Sequence, residues 1–214
     1  MWPGLFITFE GGEGAGKSSL ISKLSHELTQ RDYPILSTRE PGGTVLGERL
    51  RRLLLHMDPA LSLSANAELC LFLAARAQHI EEKIRPALEA GAIVLCDRYN
   101  DSTVAYQGVG RGLGEQYVRS LCTQVCLGIE PCLTFYLDVL PEEGLRRAQR
   151  VTAAEAREDR IEQEELSFHE STRRAFLAMA KSEPERFHIV NAHQRPSEVF
   201  SQVCAKVLGA LSKG

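Results

Sequence analysis

The chain has 214 residues, of which 43% are hydrophobic and 25% charged, with a formal net charge of -3. That length supports one substantial core, so a single domain over 1–214 with an appended lid is expected, and the apolar fraction excludes a disordered polymer. A slightly acidic balance argues against sequence-independent nucleic-acid binding, and no apolar run approaches the roughly 18 residues that a bilayer span requires. No leader with a basic start and an apolar middle is present, and the six cysteines form no C-x-x-C pair. A cytoplasmic location, reduced core cysteines and no membrane or nucleic-acid partner are therefore expected.

Leu5 to Phe9 is an apolar run that reads as a buried strand. It leads into Gly11-Gly12-Glu13-Gly14-Ala15-Gly16-Lys17-Ser18, which fits the phosphate-binding pattern G-x-x-x-x-G-K-[ST]. Glycines let the backbone wrap a triphosphate with its N–H groups inward, and the helix that follows turns its positive end towards the anion. Residues Gly11 through Ser19 are thus the expected nucleotide cradle, with Lys17 reaching the outer phosphates and the Ser18 hydroxyl ligating magnesium.

The following helix runs from Lys17 to about Arg31, with Leu20, Ile21, Leu24 and Leu28 on one face, and Asp32-Tyr33-Pro34 stops it. Ile35 to Thr38 is a short strand. Helices are expected over Gly47 to His56 and over Ala65 to Glu89, the second with a bend at Pro86. Ala92 to Cys96, ending at Asp97, reads as a strand buried on both faces. A glycine-rich loop from Gly108 to Gly114 leads to a helix over Glu115 to Leu127, and Leu133 to Leu137 is a strand ending at Asp138. Pro141 opens a helix, a polar segment over about 150–160 reads as a mobile lid, and a helix resumes from Glu162 to Ala180. Phe187 to Val190 and Ser197 to Leu211 supply the last strand and helix. Such alternation predicts an α/β phosphate-loop NTPase fold, a five-stranded parallel sheet flanked by helices, with ligands at the carboxyl ends of the strands.

A phosphate loop alone does not separate a phosphoryl transferase from a switch or a motor. Three further clusters do: Thr38-Arg39-Glu40-Pro41-Gly42-Gly43-Thr44, Phe72-Leu73-Ala74-Ala75-Arg76, and the run from Asp97-Arg98-Tyr99 to Gln107. Together with Phe9-Glu10-Gly11 and Asp159-Arg160-Ile161-Glu162-Gln163, they closely resemble thymidylate kinases of the bacterial type, from about Leu5 to Leu211. The resemblance implies a nucleoside monophosphate kinase-like fold with a short lid, ATP and Mg2+ as cofactors, dTMP as the small-molecule substrate, and a homodimer. It places Phe72 on the thymine ring, Arg76 on its O4, Thr103 and Gln107 at the base edge with Ser102 in the same run, and Tyr106 against the sugar's 2′ carbon. Four-residue spacing on a helix agrees, since it sets Phe72 and Arg76 on one face.

The resemblance also gives Arg98 to the acceptor phosphate, Arg39 and Arg51 to the phosphate side, and Glu13 to the acceptor's sugar and phosphate. Asp97 is expected to bind magnesium directly or through water, with Glu40 in the same network. Several cations are required because two unit charges about 4 Å apart repel by roughly 4 kcal/mol at an effective dielectric of 20. The phosphate loop carries no arginine in its variable part, which in this family implies a catalytic arginine from the lid. Arg150, Arg157 and Arg160 are the candidates, the first two for the transferring phosphate and Arg160 as a nucleotide or structural contact. Other readings are a kinase for another deoxynucleotide or nucleoside, or a nucleotide-dependent switch, although the guanine-reading N-K-x-D element is absent.

Overall fold

The computed structural model describes residues 2–56, 61–155 and 160–212. Its five strands are Leu5–Glu10 (β1), Ile35–Arg39 (β2), Ile93–Asp97 (β3), Leu133–Asp138 (β4) and Phe187–Asn191 (β5). All neighbours pair in parallel, in the order β2-β3-β1-β4-β5. Parallel neighbours require a crossover, and helices supply each one, which buries both faces of the sheet. Along β1 the side chains alternate. Ile7 and Phe9 enter one core with Leu24 and Leu28, whereas Phe6 joins Val94 and Ile84 beyond the other face. Thr8 and Thr134 share a 2.8 Å hydroxyl contact there, so neither buried oxygen is orphaned.

Helix α1 (Lys17–Thr29) buries the expected Leu20, Ile21, Leu24 and Leu28 and shares its core with Val199, Val203 and Val207, from the C-terminal helix Pro196–Leu211. Helix α2 (Val45–Leu55) starts two residues before the expected Gly47, because the Thr44 side chain caps it by accepting from the Gly47 amide. Helix α3 (Ala65–His79) is capped by Ser64.

Three expectations are corrected. The bend assigned to Pro86 is a π-helical turn over Ile80–Ile84, followed by the short helix α4 (Arg85–Glu89). Proline crowds the carbonyl four residues before it, at Glu82, and the wider turn relieves that conflict. Gly108 to Gly110 are not loop: α5 (Asn100–Thr103) continues as a π-helical segment over Val104–Gly110, ahead of α6 (Glu115–Cys126). Gly110 serves close packing, since a Cβ there would lie 2.6 Å from the Phe168 ring. Helix α7 (Pro141–Glu155) runs into the segment read as lid, helped by the good helix formers Ala153, Ala154 and Glu155, and α8 begins only at Leu166 (Leu166–Ser182).

Ile7 lies on the central strand with none of its surface exposed. Ile7→Ala is expected to cost about 2–5 kcal/mol of unfolding free energy, read from urea denaturation. A cost under about 1 kcal/mol would show that β1 is not the centre of the core.

Candidate active site

The carboxyl ends of β1, β2 and β3 open into a cleft of about 480 Å³. Its floor is the phosphate loop, where Gly11, Gly14 and Gly16 hold φ of 145°, 64° and 91°, values that side chains disfavour. Helix α1 has no side-chain cap, so its first amides face the loop's concavity. Lys17 Nζ donates to the carbonyls of Gly11 and Gly12 at 3.0 and 2.9 Å. Burial, then Arg98, depress its pKa, against the pull of Asp97 and Glu13. Helix α7 crosses the loop through paired glycines: a methyl on Gly14 would collide with the Gly144 carbonyl, and one on Gly144 would come within 2.5 Å of the Glu13 carbonyl. That close approach brings Arg147 to the cleft wall.

Opposite the loop, Arg98 follows β3 in a left-handed conformation, φ 70°. Its amide donates to the Phe9 carbonyl at 2.9 Å, while the next amide, Tyr99, donates to Glu10 Oε1 at 2.8 Å. Two bonds to the end of β1 thus hold a backbone turn that a β-carbon resists. The guanidinium reaches Glu13 Oε1 at 2.8 Å and Ser102 Oγ at 3.1 Å and lies 5.0 Å from the Tyr106 ring centre. Tyr106 in turn donates to Glu13 Oε2 at 2.8 Å. Burial pushes the Glu13 carboxyl up, but Arg98, then Lys17, outweigh it and hold it below its ordinary value.

At the far end of the cleft, Phe72 and Arg76 stand one turn apart on α3. Arg76 is buried and donates to Glu40 Oε2 at 2.7 Å and to Thr103 Oγ1 at 2.8 Å. Burial opposes its charge, yet Glu40 more than offsets this and raises the Arg76 pKa. The other oxygen of Glu40 pairs with His79 Nδ1 at 2.9 Å, and His79 Nε2 meets Thr38 Oγ1 at 2.6 Å.

Most of the residues singled out in the sequence meet in this one cleft: Glu13 to Ser19, Arg39, Glu40, Arg51, Phe72, Arg76, Asp97, Arg98, Ser102, Thr103, Tyr106 and Gln107 all line it. Gly11 and Gly12 shape its floor without lining it. Glu40 is placed differently from the magnesium network expected of it, because both oxygens are engaged by Arg76 and His79. Arg160 makes the structural contacts expected as one of its two readings: its Nε donates to the Leu54 carbonyl, its amide to the Leu55 carbonyl and its Nη2 to Glu68, which fastens it to α2 and α3. Arg150 is exposed on α7 outside the cleft lining, and Arg157 lies outside the described residues.

Sequence reading missed four residues that the geometry brings forward: Glu10, Glu68, His79 and Arg147. Arg147 lay within reach, three residues before Arg150 on the same helix. The others act across elements, and only Glu10 sat inside a recognised cluster.

Asp97 Oδ2 accepts from Ser18 Oγ at 2.9 Å, and among the described residues Asp97 Oδ1 is buried without a hydrogen-bond partner. A hard cation fits that pair of oxygens.

A phosphate loop facing an arginine-rich acceptor cleft, at the carboxyl edge of a parallel sheet, defines a phosphotransferase of the nucleoside monophosphate kinase type. The thymidylate kinase family model matches residues 9–203. Thymidylate kinase of Protochlamydia amoebophila is 50% identical over 202 residues, covering 93% of this chain and 90% of the relative. That of Desulfovibrio desulfuricans is 53% identical over 201 residues, covering 92% of each. The crystal structure of thymidylate kinase from Ehrlichia chaffeensis superposes with a TM-score of 0.75 at 33% identity, over 96% of this chain and 98% of that one. The chain belongs to the thymidylate kinase family.

Glu10 provides a pH test. Burial, then the neighbouring Asp101, push its carboxyl from 4.5 up to about 7, against the hydrogen bond from Ser102 and the charge of Arg98. The native state therefore keeps a proton that the unfolded chain releases. This contribution to stability is full below pH 4.5 and is lost as pH rises through about 7. Relative to Glu10→Gln, the wild type should lose on the order of 3 kcal/mol across that window, measured by urea denaturation at each pH. A difference that stays constant with pH would contradict the assignment.

Proposed function

We propose that the protein phosphorylates dTMP to dTDP, with ATP as donor and Mg2+ as cofactor. The observation that carries this reading is the position of Arg98, tied to Glu13 of the phosphate loop on one side and to Ser102 on the other, in the same cleft as Phe72 and Arg76. A nucleotide with its base against Phe72 and Arg76 would bring its phosphate to Arg98. Tyr106, fixed by Glu13, would crowd a 2′ hydroxyl and so disfavour ribonucleotides.

Lys17 and the loop amides would hold the donor phosphates, and Arg39 and Arg51 would add positive charge at the phosphate side. Ser18 and Asp97 would hold the magnesium ion, which neutralises charge between the donor's outer phosphates. The acceptor is already an ionised phosphate oxygen, so no general base is needed. Catalysis then rests on position and charge. An arginine from the segment 150–160 would complete it; α7 carries Arg150, and Arg147 already lines the cleft.

In this reading residues 1–214 act as one domain, as a cytoplasmic homodimer. The coverage of full-length relatives supports the first point, and six cysteines without a disulfide support a reducing compartment. Among the described residues, no helix is long and apolar enough to cross a membrane.

ADP release is expected to depend on dTMP, and to be far weaker with dCMP or thymidine. Acceptor-independent release would favour a switch, and preference for dCMP or thymidine would overturn the substrate. Alanine at the catalytic lid position, among Arg147, Arg150 and Arg157, is expected to lower turnover about 100- to 1000-fold with little change in dTMP affinity. If all three single variants keep near-normal turnover, the lid does not supply the cation.

A further inference from the structure

Glu68 lies one turn before Phe72 and two turns before Arg76 on α3, and it is 1% exposed. Its Oε1 accepts from Gln107 Nε2 at 2.8 Å and from Arg111 Nε at 3.1 Å, and its Oε2 accepts from Arg160 Nη2 at 2.5 Å. Burial raises the Glu68 carboxyl, but the hydrogen bonds from Gln107, Arg160 and Arg111 outweigh it and leave the group below its ordinary value. Glu68 is therefore ionised at neutral pH. An ionised carboxylate only accepts, so the amide edge facing it must be the NH2 group of Gln107. Gln107 also lines the cleft. With one N–H of Nε2 committed to Glu68, the amide is held in one orientation, and the acceptor its side chain offers a ligand is the carbonyl oxygen, Oε1.

We propose that Glu68 is a positioning residue for base selection: it fixes the Gln107 amide with its carbonyl towards the substrate, so that the cleft accepts a hydrogen bond from a pyrimidine N3–H. The inference rests on the dTMP reading above. Thymine and uracil carry a donor at N3 beside an acceptor at O4. Cytosine reverses both, with an acceptor at N3 and an amino donor at position 4. Arg76, which only donates, and Gln107 Oε1, which only accepts, match the first pattern and oppose the second. Without the carboxylate the amide can turn over, and its NH2 group would then meet N3–H of thymine donor to donor. Discrimination would fall because a wrongly paired polar edge is costly in a dry site.

The test compares kcat/KM for dTMP and dCMP in wild type, Glu68→Gln, Arg111→Gln and the double variant Glu68→Gln/Arg111→Gln. Glu68→Gln is expected to lower the dTMP-to-dCMP ratio about 10- to 100-fold, chiefly through KM for dTMP, with KM for ATP unmoved. Arg111→Gln breaks a different arm of the same carboxylate and should reduce thermal stability while leaving the base ratio intact. The double variant removes both charges together and keeps the test available if the single one fails to fold; it should show the same loss of discrimination. A folded Glu68 variant with the wild-type ratio overturns the inference, as does equal loss in Arg111→Gln. Wild-type protein binding N3-methyl-dTMP as tightly as dTMP would overturn it too. A wild type that does not prefer dTMP would instead refute the functional reading itself.

Discussion

The site depends on one buried carboxyl group at the tip of the central strand, that of Glu10. Glu10 accepts the Tyr99 amide and the Ser102 hydroxyl, the latter at 2.5 Å, and so joins the end of β1 to the turn after β3. That turn has to place Arg98 at positive φ, where a non-glycine residue is strained by about 1–3 kcal/mol unless its surroundings hold it. With the turn held, Arg98 points at the phosphate loop rather than away from it. Glu13, Tyr106 and Ser102 then each find a partner, and the phosphate loop and the turn after β3 become one wall of the cleft.

The rest of the cleft is built on the same economy of paired charges. Arg76, Glu40 and His79 are nearly inaccessible to water, as is Glu68, and burying such groups singly would cost several kcal/mol each. They persist because each is satisfied by several partners from different elements: β2 supplies Thr38 and the residue after it Glu40, α3 supplies Arg76 and His79, and the helix after β3 supplies Thr103 and Gln107. Networks of this kind fix rotamers before a ligand arrives, which lowers the entropy cost of binding. Around the phosphates the opposite condition holds. Among the described residues Asp97 Oδ1 is left without a partner and the α1 amides without a side-chain cap, so the ordered wall faces polar groups that are not yet satisfied.

The fold was largely legible in the residues, because strands buried on both faces give uninterrupted apolar runs and the longer helices announce themselves with an apolar stripe at three- and four-residue spacing, whereas the short helix Asn100–Thr103 gives no such signal. The phosphate loop was legible for another reason: its glycines are required by backbone angles that no other residue holds cheaply. The two π-helical turns were not, since periodicity of 3.6 does not reveal a local widening such as the one ahead of Pro86 or the one over Val104–Gly110. Nor did spacing reveal partners across the fold. Phe72 and Arg76 share a face by simple helical geometry, but Glu40 and Arg76 are 36 residues apart, and Glu68 and Arg160 are 92. For Arg160, read as a nucleotide or structural contact, spacing gave no indication that its partners would be Leu54 and Leu55 on α2 and Glu68 on α3.

Arg98, held by the ends of β1 and β3, is proposed to bridge the two halves of a dTMP kinase site. A crystal structure with dTMP, magnesium and a non-hydrolysable ATP analogue tests it most directly. The dTMP phosphate is expected within about 3 Å of the Arg98 guanidinium, with the metal on Ser18 and Asp97 Oδ1, the base between Phe72 and Arg76, and the Glu10–Tyr99 bond intact. A dTMP phosphate bound elsewhere, with Arg98 still closed on Glu13 alone, would contradict it.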